Sequence, residues 1–250
     1  SYFIDPLILH DLDEDGRSEI ILAARNRVYR WTSWEQIESE DLCRHSPGLI
    51  FTGLIADFDG DGADDFLCAR FEGLVLYRGS GHGAFEEAGR PVWSVKPHLK
   101  YGQVLTAGDI DGDGDLDVWL GQYKGPLRGG QMPTPYYDAN DGDPAYLLRN
   151  DGRGRFSDAT RAAGLDAKRW RRSYSGSFAD LDGDGDLDLL VVSDFAGADL
   201  YANDGMGRFT EVTDRWVPER HAFGMAHTIT DLDSDGRLDI LVMGMTCPTA

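Results

Sequence analysis

Five short segments concentrate aspartate in one repeated order that favours metal binding. Each reads Asp, apolar residue, Asp, any residue, Asp, Gly, two variable residues and a final acid. Four carboxylates in so tight a loop repel one another by about 1 to 4 kcal/mol for each close pair. The pattern therefore predicts a cation between them. These segments, named loops 1 to 5 in chain order, cover residues 11–19, 57–65, 109–117, 180–188 and 231–239.

The side chains at positions 1, 3, 5 and 9 of each loop are the predicted metal ligands. Hard oxygen ligands without His or Cys favour Ca²⁺, whose flexible coordination suits a loop better than the octahedral demands of Mg²⁺. Position 7 is expected to add its backbone carbonyl, and the Gly at position 6 permits a sharp turn. The sequence thus predicts about five Ca²⁺ ions, one per loop. The twenty predicted ligands are Asp11, Asp13, Asp15, Glu19, Asp57, Asp59, Asp61, Asp65, Asp109, Asp111, Asp113, Asp117, Asp180, Asp182, Asp184, Asp188, Asp231, Asp233, Asp235 and Asp239. Glu19 departs from the Asp that closes the other four loops, and its longer side chain changes the geometry expected at the first site.

The charge balance agrees with ion binding. The chain has 44 acidic and 24 basic side chains and a net charge of -20, and removing the twenty predicted ligands leaves equal numbers of both signs. Such acidity excludes nucleic acid and anionic membranes as partners. No apolar run approaches the roughly 18 residues of a membrane span, so no membrane insertion is expected. The alternative is that the loops are acidic surface turns without an ion.

The loops differ from EF-hands in the residues beyond position 9. An EF-hand needs a bidentate Glu at position 12 between two helices. Position 12 is apolar here, and each loop leads into a short apolar run without helical periodicity. The loops are therefore predicted to join strands. The residues at position 12 are Leu22, Cys68, Leu120, Val191 and Val242.

A second repeated element completes each unit. Residues 77–85, 148–156 and 201–209 each run from an apolar strand through a Gly-rich turn to Phe, a hairpin signal. Together with one strand on each side of the metal loop, this predicts four strands per unit, which is a propeller blade. The predicted fold is an all-β propeller segment over residues 1–250, with four full blades and a partial fifth. The blades are expected at about 2–50, 51–99, 100–171, 172–220 and 221–250.

These residues resemble the FG-GAP or VCBS repeats of integrin-α-like calcium-binding β-propellers. Phe223-Gly224 before loop 5 is similar to the Phe-Gly of that repeat, and residues 150–165 are similar to bacterial relatives of cartilage acidic protein and of ASPIC/UnbV proteins. The resemblance implies a ring of about seven blades. The remaining blades would come from the rest of the chain or from a second chain.

No motif in the sequence indicates catalysis. The six histidines lack the spacing of a zinc hydrolase, and no Gly-x-Ser-x-Gly elbow is present. His10 and His227 are expected to be satisfied structural histidines. The three cysteines, Cys43, Cys68 and Cys247, are too few for a disulfide framework. They allow at most one disulfide bridge.

The expected function is non-catalytic recognition of an extracellular protein or glycan, as in cell adhesion, with a structural Ca²⁺ in each blade. The alternatives are a lectin or a carbohydrate-active enzyme resembling a polysaccharide lyase. Loops of this kind fill at extracellular calcium levels, so a secreted or cell-surface location is expected. Two candidate partner surfaces are the Tyr-rich insertion at 122–146 and the basic cluster at 168–172.

Overall fold

The structure is a computed structural model that describes residues 6–33, 35–81, 83–125, 134, 137–217 and 223–245. It contains five antiparallel sheets, in which neighbouring strands are also neighbours in sequence. The first four sheets have four strands each and the fifth has two. The predicted all-β class, with four complete blades and a partial fifth, is confirmed.

Each blade is formed from a continuous stretch of chain. Blade 1 contains β1 (Leu7–His10), β2 (Glu19–Leu22), β3 (Arg27–Ser33) and β4 (Gln36–Asp41). Blade 2 contains β5 (Thr52–Ala56), β6 (Asp65–Arg70), β7 (Gly73–Tyr77) and β8 (Arg90–Ser94). Blade 3 contains β9 (Gly102–Gly108), β10 (Asp117–Gln122), β11 (Tyr146–Asn150) and β12 (Phe156–Asp158). Blade 4 contains β13 (Ser173–Ala179), β14 (Asp188–Ser193), β15 (Gly197–Asn203) and β16 (Phe209–Glu211), and blade 5 contains β17 (Phe223–Thr230) and β18 (Asp239–Met245).

Loops 1 to 5 each connect the first two strands of a blade. The acid at position 9 is the first residue of the second strand. In blade 1 it pairs across the sheet with the residue just before the loop, His10 with Glu19, and in blade 4 Ala179 pairs with Asp188 in the same way. The first cross-strand pair of the sheet therefore closes the loop at its base. This pairing fixes where the carboxylates of the loop lie.

The Gly-rich hairpins agree with the sequence in blades 3 and 4 but not in blade 2. In blade 2 the fourth strand begins at Arg90, five residues after the Phe85 that was expected to start it. Phe85 instead forms a parallel bridge with Cys43 and is buried. Its N–H donates to the carbonyl of Leu42 at 2.8 Å. Phe85 fills the core between the first two sheets, so the fourth strand starts later.

The chain divides into two compact units. One comprises residues 1–102 with 150–156, and the other comprises residues 103–149 with 157–250. The core of the first unit includes Ile21, Val28, Phe66 and Phe85. The core of the second is centred on buried residues of blades 3 and 4, with a smaller cluster between blades 4 and 5. A single propeller domain over residues 1–250 stays a prediction.

The helical content is small. A short α1 (Thr213–Trp216) follows blade 4, and a 3₁₀ turn at Ala23–Arg25 precedes β3. No helix among the described residues is long and apolar enough to cross a membrane.

Two of the three cysteines are buried free thiols. Cys43 and Cys68 both lie in the core of the first unit. Burial raises the pKa of Cys68 to about 12 and raises that of Cys43 as well. Cys247 lies outside the described residues.

Candidate metal centre

The five loops share one hydrogen-bonded conformation. The carboxylate at position 1 accepts the N–H of the Gly at position 6, as in Asp11 with Gly16 at 2.8 Å and Asp180 with Gly185 at 3.1 Å. The carboxylate at position 5 accepts the N–H of position 7 at 2.9 to 3.0 Å in all five loops. These local bonds hold the backbone in a turn that directs the remaining carboxylate oxygens towards one another.

The glycine at position 6 has a backbone requirement. Its φ lies between 85° and 95° in every loop, which is the left-handed region that other residues adopt at a cost. Position 4, which the sequence pattern treats as variable, also has a positive φ in every loop. Glycine at three of the five positions is the signal that could have revealed this. The residues at position 4 are Glu14, Gly60, Gly112, Gly183 and Ser234.

Carboxylate oxygens meet in all five loops. In loops 1 to 3 the side chains at positions 1, 3 and 5 each place one oxygen within 4.8 Å of the others, and in loops 4 and 5 positions 1, 3 and 9 do so. The three acids that converge are therefore not at the same positions in every loop: position 5 takes part in loops 1 to 3, and position 9 takes part in loops 4 and 5. The remaining predicted ligand of each loop lies outside its group; these are Glu19, Asp65, Asp117, Asp184 and Asp235.

The acid at position 9 is buried in the first four loops. Glu19, Asp65, Asp117 and Asp188 are at most 3% exposed. Glu19, Asp65 and Asp188 each accept the N–H of position 2, as Glu19 does from Leu12 at 2.8 Å. Burial raises the pKa of Asp65 to about 6 and also raises the pKa values of Glu19 and Asp188. Burial of these carboxylates therefore carries an electrostatic cost, which a bound cation would reduce further.

Two buried carboxylate oxygens indicate whether loops 2 and 3 suit a bound metal ion. Oδ1 of Asp59 and Oδ1 of Asp111, both at position 3, are buried without a hydrogen-bond partner among the described residues. A buried carboxylate oxygen without a partner is costly. The donor set is made only of oxygen, which suits a hard divalent cation. These observations fit a hard divalent cation such as Ca²⁺, which would neutralise and cross-link the carboxylates if bound.

Each of the first three loops also touches the hairpin segment of the following blade. Asn150 Nδ2 donates to the carbonyl of Phe58 in loop 2 at 2.8 Å. Asn203 Nδ2 donates in the same way to Ile110 in loop 3 at 2.7 Å. In loop 1 the backbone N–H of Gly83 bonds the carbonyl of Leu12 at 3.1 Å. In the sequence Asn-Asp-Gly indicates only a turn, and this link was not predicted.

Apolar contacts accompany these bonds. Phe58 at position 2 of loop 2 meets Phe156 edge to face, with ring centroids 6.1 Å apart. Ile110 and Phe209 belong to one buried cluster, as do Leu12 and Phe85. Loops 1 to 3 therefore join a blade to the hairpin segment of the next blade, in addition to forming turns within their own blades.

The basic cluster at 168–172 is bonded within the protein. Arg171 is 2% exposed, and its Nε lies 2.6 Å from Oδ2 of the buried Asp199. Arg172 is 1% exposed and pairs with Asp141 at 2.9 Å. Lys168 pairs with Asp199 at 2.7 Å. Burial removes the two arginines from the surface, so this cluster offers a partner much less charge than its sequence indicates.

Part of the insertion at 122–146 lies outside the described residues, namely 126–133 and 135–136. Its described end is tied to the basic cluster. Hydrogen bonds from Arg172 and Lys124 lower the pKa of Asp141 to about 2 against the opposing effect of burial. Asp138 and Asp141 of the acid-rich stretch 138–143 are thus engaged by cations of the protein itself.

The two histidines near the loops are both satisfied. His10 Nε2 lies 2.7 Å from Oδ2 of Asp64. His227 lies between two serine hydroxyls, with Nδ1 2.8 Å from Ser175 Oγ and Nε2 2.8 Å from Ser177 Oγ. Both therefore have structural partners, as expected.

Several solved structures are similar to this chain. An Agrocybe aegerita lectin, solved for its recognition of non-reducing terminal N-acetylglucosamine, matches with a TM-score of 0.55 at 20% identity, over 96% of this chain and 60% of the lectin. The V. cholerae biofilm matrix protein Bap1 matches with a TM-score of 0.39 at 20% identity, over 82% of this chain and 27% of Bap1. The rhamnogalacturonan lyase PL11 of Bacillus licheniformis matches with a TM-score of 0.38 at 19% identity, over 96% of this chain and 39% of the lyase. The chain spans less than two thirds of the length of each of these three proteins.

The sequence model of the FG-GAP-like repeat matches three times, at residues 57–120, 137–191 and 180–242. The first match includes loops 2 and 3, and the third includes loops 4 and 5. Together the matches cover well over half of the residues, and the chain belongs to the FG-GAP-like repeat family.

Proposed function

We propose that this chain is a calcium-binding propeller segment whose ions are structural and whose role is non-catalytic recognition of carbohydrate outside the cell. The observation that carries the metal part is the repetition of one loop conformation five times, with oxygen atoms converging each time. Ions held there would neutralise buried carboxylates and tie each loop's turn to its blade. Extracellular calcium levels suit weak modular sites of this kind.

The metal part is tested by calorimetric titration of chelator-stripped protein with Ca²⁺ and then with Mg²⁺. We expect about five Ca²⁺ ions and a large rise in melting temperature that Mg²⁺ does not reproduce. Absence of heat and of any stabilisation by Ca²⁺ would contradict the proposal.

The recognition part is supported by an open cavity in the first unit. Its volume is ≈ 330 Å³, within the usual size range of ligand sites. Aromatic and charged side chains share its wall, and Phe71 is 53% exposed there. Sugars present both apolar C–H faces and hydroxyl groups, which this mixture of side chains suits. The lining residues are Leu49, Phe51, Arg70, Phe71, Glu72, Lys100 and Tyr101.

A glycan array probed with calcium-loaded protein tests this part. We expect binding to a restricted set of glycans, weakened about tenfold or more in Phe71→Ala, since an exposed aromatic contact is removed. Met206→Ala, which alters a 70% exposed side chain of the second unit, is the matched control. Equal binding by both variants would exclude this cavity as the site.

Incubation of the same protein with acidic polysaccharides, including rhamnogalacturonan, separates a binder from an enzyme. We expect binding without release of shorter products. Accumulation of unsaturated products would replace the proposed function with that of a lyase.

A further inference from the structure

An arginine of the third-strand segment lies against the metal loop in each of the first three blades. Arg30 lies in β3, Arg78 directly follows β7, and Arg149 lies in β11. Each follows a large side chain of its strand, so the three arginines occupy equivalent places in the repeat. They are named the loop arginines here.

The loop arginines bind the predicted ligand carboxylates directly. Arg78 Nε lies 2.5 Å from Asp59 Oδ2, and its Nη2 lies 2.7 Å from Asp61 Oδ2. These acids stand at positions 3 and 5 of loop 2.

The other two loop arginines make the corresponding contacts. Arg30 Nε lies 3.2 Å from Asp13 and 3.7 Å from the buried Glu19. Arg149 pairs with Asp111, and its Nε lies 3.2 Å from Asp117 Oδ2. The position 3 carboxylate has an arginine partner in all three loops.

Loop 4 has no loop arginine. The equivalent residue of blade 4 is Ala202. It stands between Tyr201 and Asn203, as Arg149 stands between Leu148 and Asn150. Within the part of the chain that the structure describes, no lysine or arginine forms an ion pair with Asp180, Asp182, Asp184 or Asp188. Loop 4 can therefore be compared with loops 1 to 3, each of which has carboxylates that contact an arginine guanidinium.

We propose that the loop arginines set the relative Ca²⁺ affinities of loops 1 to 4, with loop 4 binding more tightly than loops 1 to 3. This inference rests on the proposed metal function. A divalent cation entering loops 1 to 3 meets a positive charge already bound to its ligands, which repels it and competes for the same oxygens. In loop 4, as far as the described residues show, it meets only carboxylates. In return, the arginine partly neutralises loops 1 to 3 when calcium is absent.

A calcium titration followed by NMR at the position 6 glycines tests the order loop by loop. Their amides donate to the position 1 carboxylates, so each reports on its own loop. We expect the Gly185 amide to reach its midpoint at a Ca²⁺ concentration about tenfold or more below those of Gly16, Gly62 and Gly114.

Two exchanged variants test the cause. Arg149→Ala should tighten loop 3 about tenfold, and Ala202→Arg should weaken loop 4 by a similar factor, while the other loops keep their midpoints. Ala202 is only partly buried and lies at the end of β15, so an arginine fits there without entering the core. Arg215→Ala, which removes an exposed charge from α1, controls for net charge.

The outcomes separate this inference from the proposed function. If no glycine amide responds to Ca²⁺, both fail. If all four glycine amides respond with equal midpoints, or if Arg149→Ala and Ala202→Arg leave the midpoints of loops 3 and 4 unchanged, the metal function stands and the role of the loop arginines is overturned. A shift of every loop in Arg215→Ala equal to that of loop 3 in Arg149→Ala would also overturn it, because net charge alone would then be the cause.

Discussion

At the scale of single residues, the carboxylates combine two tasks in one loop. Some of their oxygens hold the backbone in its turn through N–H groups, and others converge on one point. This division explains why aspartate is repeated so strictly, since its short side chain reaches both its own backbone and a shared centre.

The position 5 carboxylates give the first prediction. Asp113→Ala and Asp184→Ala should lower the melting temperature in Ca²⁺ by about 5 to 10 °C, since an ion present at 100 times its Kd contributes about 2.7 kcal/mol. In EDTA the change should be small. Asp184→Asn, which keeps the hydrogen bond to the N–H of Asp186 but removes the charge, separates the ion from the turn. Equal destabilisation with and without Ca²⁺ would contradict a structural ion at that loop.

His227 gives a prediction on pH. Burial lowers its pKa from the ordinary value of 6.5. Because the unfolded chain takes up the proton first, the contribution of His227 to stability is present above about pH 6.5 and decreases as the pH falls below it. An NMR titration of the imidazole should give a midpoint below 6.5. A midpoint at or above that value would be inconsistent with the buried, neutral ring between Ser175 and Ser177.

At this scale the convergence of acids within each loop could be predicted from the sequence, for a physical reason. The spacing of acids in loops 1 to 5 is dictated by local backbone geometry, which a nine-residue pattern contains completely. The contacts of Arg149 with Asp111 and of Asn203 with Ile110 join residues about 40 and 90 positions apart. No local pattern contains such contacts. The burial of Arg171 was missed for the same reason, because its partner Asp199 belongs to another strand.

At the scale of elements, each metal loop joins two strands of its own blade, and in blades 1 to 3 it also bonds the hairpin segment of the next. The strand order could be predicted because hairpins connect neighbours. The late start of β8 could not be predicted, because it depends on Phe85, which is buried in a core formed by two sheets.

The turn geometry predicts the effect of a single methyl group. In Gly185→Ala the added carbon meets no atom within 4 Å, and φ at this residue is 95°. The cost is therefore backbone strain alone, about 1 to 2 kcal/mol. Denaturant unfolding in EDTA should detect this loss, and an unchanged free energy of unfolding would show that the turn relaxes.

The link between loop and hairpin predicts a longer-range effect. Asn203→Ala removes the donor to the carbonyls of Ile110 and Leu187, and leaving the buried Ile110 carbonyl unpaired costs about 1 to 3 kcal/mol. It should also weaken Ca²⁺ binding at loop 3, although Asn203 belongs to blade 4. The exposed Met206 of the same turn, changed to Ala, is the control. Loss of stability without any change at loop 3 would show that the bond serves blade packing only.

At the scale of the whole molecule, the net charge of -20 is concentrated in the loops. Self-repulsion of this size destabilises the compact state, and salt screens it. We expect the melting temperature of the metal-free protein to rise between roughly 10 mM and 0.5 M NaCl, and to rise less when Ca²⁺ is bound. Equal salt dependence in both forms would mean that the loop charges do not control stability.

The Asn203 bond also bears on how the protein responds to mechanical load. The hairpin of blade 4 is fastened to loop 3, and loop 3 is the segment that calcium is proposed to stiffen. Tension that separates blade 4 from blade 3 would therefore pass through that loop before it reaches the packed side chains behind it. Calcium bound in loop 3 would then set the tensile strength of this one boundary, so that its loss would loosen blade 4 from blade 3 before either sheet comes apart.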